Sequence, residues 1–170
     1  MAQSGAGVSR VEWLKRWWPA LAWALVISGF STGVFTAENT SRIIVPLLHW
    51  FFPYAAKATL FKIHFFIRKC AHFTEYFVLS LLVLRGIRAG RPGTRFAWAL
   101  LVVAIVACYA SLDELHQRFV PGRTAAVGDV LIDTSGGAAA QLVAALVMVL
   151  GHLRDRRKLA ASAEPSGGEG

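Results

Sequence analysis

The stretch LDELHQRFVPGRTAAVGDVLIDTSGG, from Leu112 to Gly137, decides how the rest of the chain is interpreted. It concentrates ionisable and polar side chains between two long apolar runs. They are Asp113, Glu114, His116, Gln117, Arg118, Arg123, Asp129 and Asp133. An Asp, Lys or Arg at the centre of a membrane helix costs about 2.5 to 3.5 kcal/mol. Because such costly groups stand beside segments of lipid-spanning length, the stretch predicts a functional site.

The composition indicates an integral membrane protein. Of the 170 residues, 55% are hydrophobic and 16% are charged, and the mean hydropathy is +0.49. The net charge of +8 does not indicate nucleic-acid binding, because Lys and Arg cluster at the ends of apolar runs and not along one soluble face. Charges in those positions orient membrane helices.

The apolar runs predict four membrane spans, each close to the roughly 20 residues that a spanning helix needs. Basic residues before the first run also allow a cleaved signal peptide ending near Ala37, but no A-x-A site follows. The second span has an alternative start near Thr59. The predicted spans are Trp17–Phe35, Cys70–Leu84, Phe96–Leu112 and Val127–Leu150.

The segment 38–68 does not fit a continuous span. It is rich in aromatic residues, but Pro46 and Pro53 interrupt it and Lys57 and Lys62 add charge. We expect an interfacial helix or a re-entrant piece here. The predicted fold is therefore all-α, an integral membrane four-helix bundle with that segment between helices 1 and 2. Its parts are a lead (1–16), a membrane domain (17–152) and a basic, then disordered, tail (153–170), with disorder expected from Leu159.

Basic residues predict the orientation of the chain. They crowd the lead, the loop 85–95 and the C-terminal end, and with four spans all three lie on one side, which the positive-inside rule makes cytoplasmic. Both termini are then cytoplasmic, in the bacterial cytoplasmic membrane. The start of the second span, the end of the third and the start of the fourth meet at the outer side. Three distant pieces of sequence thus converge on one extracytoplasmic cluster.

This cluster contains groups that can move protons and bind anions. Proton carriers are predicted at Asp113, Glu114, His72 and Glu75. Substrate-binding groups are predicted at Lys69, Tyr76, Gln117, Arg123, Asp129 and Asp133. Each also has a purely structural interpretation. Lys69 can snorkel at a helix end. His72, Glu75 and Lys69 can form a hydrogen-bonded set.

Structural interpretations extend to the start of the fourth span. Asp129 can favour the helix N-terminus with Arg123 as its counter-ion. Asp133 can lock the bundle by pairing with His72 or Lys69. Gly136 and Gly137 are interpreted as packing residues.

The spacing of the candidate residues supports a metal site or a serine hydrolase less than it supports proton transfer and anion binding. No cofactor is predicted, although a metal could draw ligands from His72, Glu75, Asp113, Glu114, His116 and Asp129. The sequence has no HExxH, GxSxG or P-loop motif. A serine hydrolase built on Ser135 and His72 rests on one Ser-Gly pair. Cys70 and Cys108 lack CxxC spacing and are predicted to be buried small hydrophobes.

Three motifs together resemble the VanZ-like family of small bacterial membrane proteins. They are RKCAHFTEYFVLSLL (68–82), DELHQRFVPGR (113–123) and DVLIDTSGG (129–137), in the family's order and spacing. The resemblance covers the chain from the first span to the end of the fourth. It implies a cell-envelope role, since the founding member is associated with low-level resistance to teicoplanin, a lipid-anchored glycopeptide. It implies a class of protein and no particular reaction.

We therefore expect a function at the outer leaflet, on or with a cell-envelope lipid or lipid-linked precursor, with an effect on glycopeptide susceptibility as one form of it. Whether the chain is an enzyme stays open. A non-enzymatic binding or structural module is the first alternative, gripping a head group or an antibiotic. A proton-coupled transporter is the second, and four spans would then need a homodimer to build a pathway.

Overall fold

The computed structural model describes residues 10–89, 91, 95–123 and 126–163, which form five α-helices and no β-strand. The predicted all-α class is confirmed at this level. Most of the lead, the centre of the basic loop and the last seven residues of the tail lie outside the described residues. The helices are α1 (Arg10–Phe30), α2 (Ala37–Phe51), α3 (Lys57–Arg88), α4 (Phe96–Gln117) and α5 (Val127–Ala163).

Three of the described helices are long and apolar enough to cross a membrane, namely α3, α4 and α5. Helix α1 is not among them, because Arg10, Glu12, Lys15 and Arg16 occupy its first two turns. Its charge-free part, 17–30, falls short of the roughly 20 residues of a full span. A fourth span, and with it the four-helix bundle, stays a prediction.

Helix α1 ends earlier than the sequence predicts. The span was expected to reach Phe35, but the helix stops at Phe30 and a 3₁₀ turn occupies Gly33–Phe35. At this point the Thr32 hydroxyl donates a hydrogen bond to the carbonyl of Gly29 at 2.7 Å. Hydroxyl groups that bond to nearby carbonyls compete with helix continuation. The turn brings the backbone carbonyls of Phe30 and Phe35 to the site described below.

The segment 38–68 is divided between two helices. Thr36 caps α2 by accepting a hydrogen bond from the backbone N–H of Asn39, and α2 ends just before Pro53. With 15 residues, α2 is too short to cross the roughly 30 Å hydrocarbon core. The second span starts at Lys57, close to the earlier of the two predicted starts. Helix α3 ends at Arg88 and is capped by Ala89, which adopts the left-handed conformation.

The structure departs from two predictions, one for residues 159–163 of the tail and one for the two cysteines, while residues 164–170 lie outside the described part of the chain. Helix α5 continues through Ala163, so residues 159–163 are helical and not disordered. Basic residues and alanines have good helix propensity, which extends the helix beyond its apolar part. Cys70 and Cys108 are free, as expected, but they lie exposed on the outer surfaces of α3 and α4 and not in the core. In a membrane protein an apolar neighbourhood in sequence does not imply burial, because lipid accepts such side chains.

The closest helix pair is α3 with α5, which run parallel. Gly136 sets their separation, because a Cβ at this position would collide with the backbone carbonyl of Phe73. A Cβ on Gly137 would lie 2.7 Å from Cγ1 of Val106 in α4. Small residues that admit close backbone approach are a usual basis of helix association in membranes. The predicted packing role of these two glycines is confirmed.

Buried hydrogen bonds join the same helices further along. The Ser80 hydroxyl donates to the carbonyl of Gly137 at 2.8 Å, and the Gln141 amide donates to the Ser80 oxygen at 2.7 Å. Helix α1 contacts α3 through Trp23, whose indole N–H donates to the carbonyl of Glu75 at 2.9 Å. The Tyr109 hydroxyl donates to the carbonyl of Ala24 at 2.6 Å. Together with the contacts Arg85–Arg16 and Ser31–Asp113, they show that α1 and α4 run antiparallel to α3 and α5.

Candidate functional site

The charged side chains gather at one end of the bundle, where α4 ends, α5 begins and α3 has completed three turns. Lys69 forms an ion pair with Asp129, and His72 faces Asp133. Both contacts join α3 to α5 and both follow from the parallel packing set by Gly136. The convergence of three distant pieces of sequence, expected from their order and charge, is present in the fold.

The Lys69–Asp129 pair lies at the rim of the cluster. About one fifth of each side chain is exposed, 21% for Lys69 and 18% for Asp129. Asp129 stands in the first turn of α5, where a negative charge favours the helix N-terminus. Arg123 is therefore not its counter-ion, contrary to one structural interpretation of the sequence. Lys69 is also not a free snorkelling side chain, because its charge is balanced within the protein.

The His72–Asp133 pair lies deeper. Nδ1 of His72 is 3.3 Å from Oδ1 of Asp133, and the Asp133 side chain is 2% exposed. Neither atom has a hydrogen-bond partner among the described residues, so the two groups face each other without hydrogen-bond geometry. Because Nδ1 faces Asp133, Nε2 lies on the edge of the imidazole ring that points away from Asp133. His72 also lines the two cavities beside this pair. Of the two partners weighed for Asp133 from the sequence, the structure selects His72.

Asp113 and Glu114 connect the end of α4 to its neighbours. Oδ2 of Asp113 accepts hydrogen bonds from the Ser31 hydroxyl at 2.6 Å and from the Gln117 amide at 2.8 Å. Oε1 of Glu114 accepts the backbone N–H of Ala126, directly before α5. Both carboxylates are buried. They thus fix the end of α1 and the start of α5, in addition to any role in proton transfer.

Two arginines bind the turn between α1 and α2. Arg68 donates from Nη1 to the carbonyl of Phe35 at 3.0 Å and to the Thr40 hydroxyl at 3.3 Å. Arg123 donates from Nη2 to the carbonyls of Phe30 and Phe35, the latter at 3.1 Å. Burial first, and the positive charge of Arg68 second, lower the pKa of Arg123. The two guanidinium groups are therefore close enough to repel each other.

Two adjacent cavities open beside these arginines. The first has a volume of about 270 Å³, and Phe30, Phe35, Ile44 and Ile67 form its apolar wall. The second has a volume of about 200 Å³ and is lined on its charged side by Lys69 and Asp129. The residues common to both cavities are Arg68, His72 and Arg123.

A family model described as VanZ/LLP1 matches residues 17–148, which is most of the chain. The chain belongs to the VanZ/LLP1 family. The matched region contains α2, α3 and α4, together with both cavities and every predicted site residue. No curated protein and no solved structure matches the chain.

In this VanZ/LLP1 protein the predicted site residues divide into two groups. Those that line the two cavities are Lys69, His72, Glu75, Gln117, Arg123 and Asp129. Those that do not line them are Asp113, Glu114, Tyr76 and Asp133. Tyr76 is fully buried, and its hydroxyl has no hydrogen-bond partner within the described part of the chain. Its ring packs 6.1 Å from that of Tyr109, centroid to centroid, so it lies in the core and not on a cavity wall.

Sequence reasoning overlooked Arg68 and Ser31. Arg68 stands directly before Lys69, and only the lysine was selected as a candidate. A periodicity signal was available, because His64, Arg68, His72 and Glu75 follow each other at intervals of four, four and three residues on one face of α3. Ser31 carried no such signal, since its contact with Asp113 depends on where α1 ends.

Two alternative chemistries were weighed from the sequence of this VanZ/LLP1 protein, a serine hydrolase and a metal site. Ser135 is exposed and its hydroxyl donates to the carbonyl of Ile132 at 2.7 Å, so it does not form a catalytic pair with His72. Within residues 10–163, the gaps excepted, no three His, Cys, Asp or Glu side chains are grouped as metal ligands. The donor set weighed from the sequence is instead divided among separate pairs.

Proposed function

We propose that the chain is a multi-pass protein of the bacterial cytoplasmic membrane that acts at the outer face, on or with a cell-envelope lipid or lipid-linked precursor. The observation that carries this proposal is the first cavity, where His72, Glu75 and two arginines face an apolar wall. A polar group bound there has a proton carrier and cations within reach. The apolar wall suits the chain of a lipid.

The distribution of basic residues supports the outward orientation. Arg85 at the end of α3 donates to the carbonyl of Arg16 at 3.0 Å, so the start of α1 and the end of α3 lie together. The charged extension of α5 points to the same end because α5 runs parallel to α3. By the positive-inside rule this end is cytoplasmic, which turns the two cavities toward the outer side.

As an enzyme, the protein would be a hydrolase or transferase on a phosphate- or ester-containing lipid. His72 is then the proton carrier, since it lines both cavities and its Nδ1 faces Asp133 on the side of the ring away from Nε2. Glu75 is the second carboxylic group on the cavity wall. Glu114 is a weaker candidate than the sequence suggested, because its carboxylate binds the backbone before α5.

A binding module without chemistry is the second candidate function. It is favoured by the number of cluster residues that already have partners: Lys69 with Asp129, His72 with Asp133, and Asp113 with Ser31 and Gln117. Pairs of this kind stabilise a shape and leave the arginines to hold a head group.

A lipid and cell-wall-precursor mass profile distinguishes the two. Cells overproducing the protein are compared with cells that make equal membrane amounts of Glu75→Gln or Glu114→Gln. Gln keeps the size and polarity of Glu but does not carry a proton at neutral pH. Chemistry predicts a covalent species that appears or disappears only with the unmodified protein and is lost in Glu75→Gln.

The matched control is Glu38→Gln, which changes an exposed glutamate in α2 that pairs with Arg42. Its profile should equal that of the unmodified protein. Identical profiles for all four proteins, with any glycopeptide phenotype retained, would assign the binding function instead.

A further inference from the structure

We propose that Arg68 and Arg123 form a binding site for one monoanionic group joined to an apolar chain, such as a phosphodiester or carboxylate of an amphiphile. This inference rests on the proposed function and names the ligand class of the same cavity. Lys69 and Arg123 are both among the substrate-binding groups predicted from the sequence, and in this site Arg68 takes the place of Lys69.

The first observation is that both guanidinium groups lack an ionic partner. Among the described residues, no carboxylate oxygen lies within 4.0 Å of either one, whereas Lys69 is paired with Asp129. Their acceptors are neutral carbonyl and hydroxyl oxygens. Nε of Arg123 is buried and has no acceptor in the described structure. Both arginines are half-buried and therefore partly desolvated, and without a carboxylate in contact an external anion would stabilise this arrangement.

The second observation is the spacing of the two groups. The carbonyl oxygen of Phe35 accepts from Arg68 at 3.0 Å and from Arg123 at 3.1 Å, so the two Nη atoms are at most about 6 Å apart. One phosphate or carboxylate can receive hydrogen bonds from both groups at this spacing. Each guanidinium has five N–H donors, and these contacts use only one or two of them. The remaining donors are available to the two cavities that both arginines line.

The third observation concerns the charge of the ligand. Glu75 lines the first cavity together with the two arginines, and His72 is compensated by Asp133. With Glu75 ionised, the cavity wall carries one net positive charge. A phosphodiester or carboxylate matches this charge, whereas a phosphate monoester with two negative charges exceeds it.

The fourth observation concerns size. The first cavity, about 270 Å³, is smaller than the roughly 300 to 1,000 Å³ of pockets that enclose drug-sized ligands. It admits a head group but does not enclose a glycopeptide antibiotic. Phe30, Phe35, Ile44 and Ile67 supply an apolar surface along which a chain can leave the site.

Lipid binding to the purified full-length chain in neutral detergent tests this inference. Native mass spectrometry measures the retention of phosphatidylglycerol, a monoanionic phosphodiester, and of zwitterionic phosphatidylcholine. We expect phosphatidylglycerol to bind about tenfold more tightly, and Arg68→Gln/Arg123→Gln to remove this preference. Arg42→Gln is the matched control, because Arg42 is exposed and pairs with Glu38, and it should bind as the unmodified chain does.

A second variant covers the case in which the arginine variant does not fold. Ile44→Asp places a negative charge on the apolar wall without changing either guanidinium, and it should weaken phosphatidylglycerol binding by a similar factor. Inorganic phosphate and acetate, which carry no apolar chain beyond a methyl group, are added as competitors. Phosphate or acetate binding as tightly as the lipid would overturn the requirement for an apolar chain. Equal lipid retention in the unmodified chain and both variants would overturn the site.

Different results would reject the enzymatic form of the proposed function and the anion site. A covalent lipid product that depends on Glu75, together with unchanged lipid retention in the arginine variant, would keep the proposed function and reject this anion site. Selective phosphatidylglycerol binding through the arginines, with identical mass profiles, would keep the site and assign a binding function.

Discussion

At the scale of single residues, the site consists of pairs that bridge helices. Each pair neutralises a charge or satisfies a polar group in surroundings where water is scarce. The contribution of a pair to stability depends on how deeply it is buried. Removing one member of a buried pair leaves the other without compensation, which costs more than removing both. Lys69–Asp129 at the rim and His72–Asp133 in the interior allow this rule to be tested within one cluster.

The buried pair gives the first prediction. We expect His72→Ala to lower the free energy of unfolding by about 3 kcal/mol or more, because Asp133 is then left as an unpaired buried carboxylate. The double variant His72→Ala/Asp133→Ala should lose less than the two single losses together, with a coupling of about 1 to 3 kcal/mol. Reversible unfolding in detergent micelles measures all three variants.

The control for this prediction is the same cycle on Lys69 and Asp129. Because both side chains are about one fifth exposed, solvent screens them and their coupling should be smaller. Strictly additive losses at His72 and Asp133 would show that the two residues do not interact.

Glu114 gives a second prediction at this scale. Its carboxylate accepts the backbone N–H of Ala126, so Glu114→Leu leaves that donor without an acceptor, at a cost of about 1 to 3 kcal/mol. Glu114→Gln retains a carbonyl acceptor and should cost less. Hydrogen exchange of the amides at 126–129 should rise in the Leu variant and much less in the Gln variant. Equal exchange in both variants would contradict the assigned contact.

At the scale of helices, α5 determines the shape of the site through its contacts with α3 and α4. Gly136 lies against the backbone of α3, and Gly137 lies against Val106 of α4. The carboxylates of Asp129 and Asp133 project from the turns that precede these glycines. Their positions relative to Lys69 and His72 therefore depend on how closely α5 packs.

Gly136→Ala should destabilise the protein by about 1 to 3 kcal/mol, because the new methyl group would push α3 away from α5. The matched control is Gly128→Ala in the same helix, where an added Cβ would meet no atom within 4 Å. This control should be neutral or slightly stabilising, since Ala favours helix over Gly. Thermal unfolding of both variants in one detergent measures the difference, and equal unfolding temperatures would exclude the close-packing role.

At the scale of the whole molecule, the orientation in the membrane gives a prediction of its own. In a chain with both native cysteines replaced, Arg118→Cys should react with a membrane-impermeant maleimide added to intact cells. Arg91→Cys should react only after the cells are opened. The reason is that Arg118 follows α4 at the end that carries the cavities, whereas Arg91 follows α3 at the basic end. Labelling of Arg91→Cys in intact cells would reverse the proposed orientation.

The sequence predicts the helical class, the start of α4 and the convergence of the charged groups, because these depend on hydropathy and chain order. It does not predict which partner each charge selects. Asp129 pairs with Lys69 and not with Arg123, since pairing depends on the rotation and separation of α3 and α5. The spacing of Arg68 with His72 and Glu75 could have placed it on the same face of α3. Its contact with the carbonyl of Phe35 could not be predicted, because that contact depends on where the chain leaves α1.

The close contact at Gly136 has a consequence for the alignment of the two parallel helices. Asp129 and Asp133 are one helical turn apart, so a slide of α5 by one turn, about 5.4 Å, would still leave a carboxylate opposite Lys69 or His72. The ion pairs alone thus allow more than one register. The same slide would bring Ile132 or Ala140 to the level of Phe73, and both of these residues have the Cβ that the contact excludes. The missing side chain at position 136, and not the attraction of opposite charges, therefore selects a single alignment and with it the order of the pairs.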